Sequence, residues 1–453
     1  MTRNLFLFLA ASCTSMAPAY ERPAAPIRTE LPGGAGAAPL PALEQFVQHA
    51  PLRQLMTGAL KANRDLRRSV ENIESARALY GVQRGALYPS VDAVATVNRA
   101  RQVTGIPGLD AFTATTGQVV AQASWEIDVF GRIKSLVNAR EQQVLSTLEL
   151  ARAARVALIG EIATAYVTLA TDRKRLAIAR ETMELGKQVM DLSDKLVDGG
   201  TGNRSDFYQA KTVYEQGRAD VARLTAAIAQ DKNALELLAG GAIGDDLLPA
   251  ELPAKPDWFA EVPVGMSSAV LLDRPDVRAA EHDLMAANAN IGAARAAFFP
   301  NLSLTASGGL ASAALKTLFT SPVWVYSLIP SLAMPLFRGG ANKANLAYTE
   351  SQKRVFIAAY EGSIQRAFRE VADALAVKAT LEEQLAAQQA LVEAAQKSFE
   401  ISQARYQAGI DQFLTTLVSQ RALYAAQSSQ IAVQQAAMVN RIALYRALGG
   451  GRL

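Results

Sequence analysis

Two periodicities alternate along this chain. Some short stretches repeat every second residue. Val91, Ala93, Ala95 and Val97 alternate with Asp92, Thr96 and Asn98. Val119, Ala121, Ala123, Trp125 and Ile127 alternate with Gln118, Gln122, Ser124, Glu126 and Asp128. Leu302, Leu304 and Ala306 alternate with Asn301, Ser303 and Thr305, and Trp324, Tyr326 and Leu328 do so more weakly with Val325, Ser327 and Ile329. This pattern predicts four strands, at about 88–102, 115–129, 299–310 and 322–337, joined in pairs by Gly-, Pro- and Thr-rich loops.

The other stretches are long and helical. Residues 131–197 and 341–406 contain no proline. Each predicts a helix of roughly 65 residues, about 100 Å long. Ile159, Ile162, Tyr166 and Leu169 step by three, four and three, as a coiled-coil seam does. Phe368, Val371 and Leu375 repeat the first three of these places. Gly200 and Gly409 mark the turns that end the long helices, and return helices run to 239 and 448. Shorter helices at 52–87 and 267–298 precede the strands and are closed by Pro89 and Pro300.

The order of elements occurs twice because the sequence does. Asn63 to Arg67 matches Arg274 to Arg278, and Arg84 to Pro89 matches Arg295 to Pro300, at a separation of roughly 210 residues. That period is too long for a solenoid and reads as one duplication. The expected division is a signal peptide at 1–12, a lipidated extended segment at 13–51, a first repeat at 52–240, an equatorial linker at 241–266 and a second repeat at 267–449. Pro249, Pro253, Pro256 and Pro263 punctuate the linker.

Composition narrows the function. Half of the 453 residues are apolar, only 7% are aromatic, and no run of 18 uninterrupted apolar residues exists. This excludes a bundle of spanning helices. The net charge of +4 is small and spread, with no basic block, so no nucleic-acid partner is expected. His49 and His282 have no companion motif, so neither a metal site nor an enzyme is expected. The single cysteine, Cys13, follows a positive and then apolar leader, and Leu9 to Cys13 resembles a bacterial lipoprotein processing box. A covalent lipid on Cys13 is the only prosthetic group expected.

Alternation alone also fits a hairpin of a soluble protein. Three features favour a bilayer instead. The strands have spanning length, their opposite face stays polar, and Trp125, Trp324 and Tyr326 suit an interfacial aromatic belt. Four strands leave open edges, which lipid does not tolerate. Several chains must then share one barrel, and three would supply twelve strands. A lipid-anchored periplasmic coiled-coil adaptor or scaffold is the rival reading. It has no need of paired strands in duplicate.

Leu272-Asp273-Arg274-Pro275-Asp276-Val277-Arg278 and the stretch IGAARAAFFPNLS at 291–303 resemble the outer-membrane factor (TolC-like) family. Residues 13–26, 405–409 and 420–427 are similar to its lipoprotein branch, the outer-membrane channels of tripartite efflux pumps. The resemblance implies a mainly α protein with a membrane β-barrel. It implies a homotrimer whose twelve-stranded barrel, four strands per chain, is continued by a long helical periplasmic tunnel. It also implies an outer-membrane location, a periplasmic adaptor and an inner-membrane resistance–nodulation–division pump as partners, and passive conduction of drugs or other small compounds. The hairpin turns would form a closable mouth at 198–206 and 406–418. There Asp206 and Arg204, Tyr406, Asp411, Leu414 and Val418 are the candidate gate residues. Relatives commonly carry aspartate where this chain has Val418. That departure implies a seal more apolar and less acidic at this level.

Overall fold

The computed structural model describes residues 15–32, 40–103, 111–263, 265–313, 317–320 and 322–450. Cys13 and the expected signal peptide lie outside them. In chain order the elements are α1 (Leu43–Phe46), α2 (Ala50–Ala62), α3 (Arg64–Gly85), β1 (Ser90–Gln102), β2 (Phe112–Ile127), α4 (Arg132–Asp198) and α5 (Arg204–Ala239). The second series is α6 (Pro275–Ala296), β3 (Asn301–Ser312), β4 (Val323–Ala333), α7 (Ala341–Gln407) and α8 (Phe413–Ala447). Both long helices, α4 and α7, have 67 residues.

The short helices differ from expectation in the same way in both repeats. The helix expected at 52–87 breaks at Asn63, and that expected at 267–298 breaks at Arg274. Both residues are extended, with φ −62°. Pro275 forces this on Arg274, whereas Asn63 is held by capping: its Oδ1 accepts from Leu66 N at 2.9 Å. Each side chain also reaches the end of a return helix. Asn63 Nδ2 donates to Leu238 O at 2.9 Å, and Arg274 Nη1 donates to Ala447 O at 2.6 Å. These carbonyls belong to last turns that have no helical partner. Duplication kept this clasp while changing a neutral amide into a cation.

The repeats are not the spatial units. One unit consists of Met1–Ala24, Asn72–Leu148 and Ala279–Glu361, and the other of Ala25–Glu71, Glu149–Arg278 and Gly362–Leu453. Each draws on both repeats. In the first unit β1, β2, β3 and β4 form one antiparallel sheet in that order, so the central β2–β3 pairing joins the repeats. Here α4 and α6 meet through Ala139, Ala286 and Ala289, the small side chains that the composition supplies.

In the second unit the first seam is buried as expected at Ile159, Ile162, Tyr166 and Leu169. The other seam is shifted. Phe368 is only half-buried, and the buried line runs Ile364, Ala367, Val371, Leu375. The two repeats thus bury slightly different stripes of their long helices, Ile159 on α4 and Ala367 rather than Phe368 on α7. One window of α4 is apolar enough to cross a membrane, yet 56% of it is buried within the protein.

The proline-rich linker is held by one antiparallel bridge, Val47 to Phe259, and otherwise largely by cations. Arg173 on α4 donates to Pro249 O, and Lys174 Nζ donates to Leu252 O at 3.3 Å and to Gln434 Oε1 at 2.9 Å. Lys378 on α7 donates to Val262 O at 3.2 Å. Arg441 on α8 donates to Pro256 O and Phe259 O, both at 2.8 Å. An irregular segment leaves carbonyls that need donors, and these three helices provide them. Burial pushes the Lys174 ammonium below its ordinary value.

Candidate functional site

The sheet sorts its side chains by parity. Successive residues of a strand face opposite sides, so the register defines rows. One face carries Ala95–Val119–Leu310–Trp324, then Ala93–Ala121–Gly308–Tyr326, Val91–Ala123–Ala306–Leu328, Trp125–Leu304–Pro330 and Ile127–Leu302–Leu332. The only polar side-chain groups in these rows are the Tyr326 hydroxyl and the indole N–H groups of Trp125 and Trp324. The opposite face is mostly polar, with the rows Asp92–Gln122–Ser307–Ser327, Ser90–Ser124–Thr305–Ile329 and Glu126–Ser303–Ser331, and is interrupted by the apolar row Val94–Val120–Gly309–Val325. Ser307 and Ser327 hydroxyls share a 2.8 Å hydrogen bond there. Glu126 is matched by Arg132 at 2.7 Å.

The apolar rows extend from the Val97–Gly117 pair to the Ile127–Leu302–Leu332 row. That is about 33 Å along a strand at about 3.3 Å per residue. A tilt of about 40° reduces it to the roughly 25 Å of a membrane barrel's apolar band. Trp125 and Trp324 sit on this face in rows three steps apart, toward opposite ends of the band. Trp125 Nε1 donates to Leu87 O at 3.0 Å. Trp324 and Tyr326 are exposed within one chain, as are Val91, Leu328 and Leu332. The sheet has β1 and β4 as open edges.

The hairpin turns lie in the second unit. Gly200 and Gly409 adopt left-handed φ of 72° and 71°. Thr201 N returns to Leu196 O at 3.0 Å, and Ile410 N to Arg405 O at 2.9 Å. A Cβ at either glycine would meet nothing within 4 Å, so the backbone conformation alone selects glycine. In α5, Asn203 caps the helix through Ser205 N at 2.9 Å. Asp206 follows in the first turn, half-buried, and burial raises its carboxyl above the ordinary value. Arg204 is exposed at the start of the same turn.

Tyr406, together with Val189 and Met190 of α4, packs against a buried cluster made by Ala210 and Val213 of α5 and Phe413 and Leu417 of α8. Its ring lies 5.4 Å from that of Phe413. Asp411 is engaged within its own turn. Arg405 grips it with Nε at 2.6 Å and Nη2 at 2.9 Å, and these hydrogen bonds hold the carboxyl below the usual range. Leu414 and Val418 are 51% and 60% exposed, one helical turn apart on the same face of α8. Arg405 was not among the candidates. Its pairing spans six residues and depends on the reversal at Gly409. Phe413 was also missed as the anchor of the turn.

Both histidines are engaged by neighbouring side chains. His49 stacks on Trp258 at 4.8 Å and shares a 3.1 Å hydrogen bond with Tyr166, and burial lowers its pKa. His282 Nδ1 lies 2.8 Å from Gln142 Oε1. Among the described residues no group of three metal-ligating side chains occurs.

The amino-terminal strand of chain lies along α6. Arg22 grips Glu281, with Nε at 2.6 Å, and Tyr20 donates to the same carboxylate at 3.2 Å. Asn288 Nδ2 donates to Pro18 O at 2.8 Å, and Ser15 meets Ser135 at 2.9 Å in the first turn of α4. A Cβ on Gly292 would come 2.6 Å from Ala17 N, so glycine is what lets the segment lie so close.

The model of the "Outer membrane efflux protein" family matches residues 55–241 and 266–450, one match per repeat. The chain is 42% identical over 458 residues to the solvent efflux pump outer membrane protein SrpC of Pseudomonas putida, covering 99% of this chain and 97% of that one. A crystal structure of a membrane protein from Pseudomonas aeruginosa superposes with TM-score 0.90 at 39% identity, over 96% of this chain and all of that one (100%). The open state of the Neisseria gonorrhoeae MtrE outer membrane channel gives TM-score 0.83 at 33% identity, over 97% and 98% of the two chains.

Proposed function

This chain belongs to the outer membrane efflux protein family, and we propose that three copies of it close one barrel through which small compounds leave the cell. It is the outer-membrane component of an efflux pump. The observation that carries the reading is the sheet, with one face apolar, the other mostly polar, and two unpaired edges. An open edge in lipid strands several backbone groups, each at a cost of several kcal/mol. Pairing β1 of one copy with β4 of the next removes both edges, and three copies give twelve strands. The polar rows then line a wet lumen, and the apolar rows meet lipid.

Conduction is passive and involves no catalysis. Energy comes from an inner-membrane pump of the resistance–nodulation–division class, reached through a periplasmic adaptor. A lipid on Cys13 anchors the chain. The course of the 15–22 segment supports this, because Ser15 ends beside Ser135 near the foot of the sheet. The mouth is gated at the hairpin turns. Three copies of Asp206 form its acidic element, Asp411 is neutralised by Arg405, and Leu414 and Val418 supply apolar closure.

Two substitutions test the gate. A carboxylate ring attracts cations. Val418→Asp is expected to raise cation selectivity, and Arg405→Gln to do the same by freeing Asp411. Reversal potentials in a salt gradient across a planar bilayer read both, and unchanged values in both would sink the gate assignment. The function as a whole is tested by complementation. In cells lacking their own channel, the chain should restore solvent or antibiotic tolerance only when adaptor and pump are present. Release from membranes as a monomer without detergent would instead support the scaffold reading.

A further inference from the structure

Beyond the apolar band, β1 changes character without changing parity. Val91, Ala93, Ala95 and Val97 are followed on the same face by Arg99 and Arg101. The register sets Thr115 beside Arg99 and Thr113 beside Arg101 on β2. Both arginines are exposed, and neither forms an ion pair among the described residues. They occupy the end of β1 away from α3, four and six residues past the row that contains Trp324. That places them about 13 and 20 Å further along the strand.

From the centre of the band outward, the face therefore presents aliphatic side chains, an indole, and then two guanidiniums flanked by hydroxyls. Indoles settle at the headgroup level of a bilayer. Cations on the polar side of that level meet lipid phosphates. A guanidinium offers a planar fork of donors that matches phosphate oxygens, and the two threonines add hydroxyl donors. Nothing in transport calls for this pair, since its parity turns it away from the polar lumen face.

We infer that Arg99, Arg101, Thr113 and Thr115 form a binding site for the phosphate groups of outer-leaflet lipid. The inference rests on the barrel reading, because only a sheet closed in a membrane turns this face to lipid. Three such sites would surround each barrel. They fix its height in the bilayer as the aromatic residues do, but by charge.

The test uses full-length protein reconstituted in phosphatidylcholine nanodiscs and titrated with labelled lipopolysaccharide. Arg99→Gln with Arg101→Gln should weaken binding roughly thirtyfold, about fivefold for each charge removed. Arg99→Lys with Arg101→Lys should retain most of it. Conductance should be unchanged in both double variants. Millimolar inorganic phosphate should fail to compete. Equal binding by the wild type and the glutamine variant overturns the site, and full competition by inorganic phosphate overturns its assignment to lipid. If the glutamine variant fails to assemble, the lysine variant decides, and loss of its binding overturns the site. A wild type that forms no conducting oligomer counts against the barrel itself, whereas a conducting one with variant-independent binding counts only against this site.

Discussion

Ala123→Arg should abolish assembly in the outer membrane, while Gln122→Arg, one residue earlier on the same strand, should assemble normally. Ala123 sits in the Val91–Ala123–Ala306–Leu328 row, near the middle of the apolar band, and Gln122 in the polar Asp92–Gln122–Ser307–Ser327 row. An arginine on the lipid face near the bilayer midplane costs about 2–4 kcal/mol. Three copies per barrel bring this to roughly 6–12 kcal/mol if the sites act independently. The same charge in a water-filled lumen keeps its hydration. Its expected effect is a lower cation preference rather than a loss of protein. Recovery of SDS-resistant oligomer from outer-membrane fractions separates the two. If both variants assemble equally well, the face assignment is wrong.

The second large effect concerns Arg274. It is 7% exposed and donates to Asp276 at 3.0 and 2.8 Å, to Glu370 at 2.9 Å and to Ala447 O at 2.6 Å. Removing one partner of a buried charge cluster costs about 3–5 kcal/mol. The Asp276 and Glu370 side chains keep 43% and 44% exposure. Water therefore compensates part of the loss, and Arg274→Met should cost about 2–3 kcal/mol. Asn63→Ala, at the matching place in the first repeat, removes only a neutral cap and should cost about 1 kcal/mol. Denaturant midpoints of the detergent-solubilised protein measure the difference.

Acid should distinguish them too. Burial pushes the Asp276 carboxyl up, but the hydrogen bonds and charge of Arg274 outweigh it, and the net pKa lies below the ordinary value. A depressed carboxyl stabilises the fold fully above its unfolded pKa, about 3.9, and loses that contribution as pH falls through the folded value. The wild type should lose this increment in acid, and Arg274→Met should lose only the part that backbone N–H donors supply. Equal acid sensitivity would place the stabilising charge elsewhere.

What the sequence disclosed follows from what period and residue type can encode. The absence of proline gave the two long helices, and alternation gave the four strands and their faces. Gly200 and Gly409 gave the turns, because a left-handed backbone has few other occupants. Alternation assigns a face but no partner, so the β2–β3 pairing that merges both repeats into one sheet was not legible. The breaks at Asn63 and Arg274 lay inside otherwise good helical pattern, and only Pro275 flagged one of them. The Arg405–Asp411 pair depends on a chain reversal that no helical spacing describes. The cations that bind the linker carbonyls come from three separate helices and have no local signature. Phe368 was misassigned because the seam of the first repeat was carried over place for place, and the second repeat buries Ile364 and Ala367 instead.

The central claim is that the sheet of one chain is a third of a closed barrel. Native mass spectrometry of the detergent-extracted protein tests it most directly. The expected mass is that of three chains, lost only when the oligomer is denatured. A folded, stable single chain with its sheet edges β1 and β4 unpaired would contradict the account.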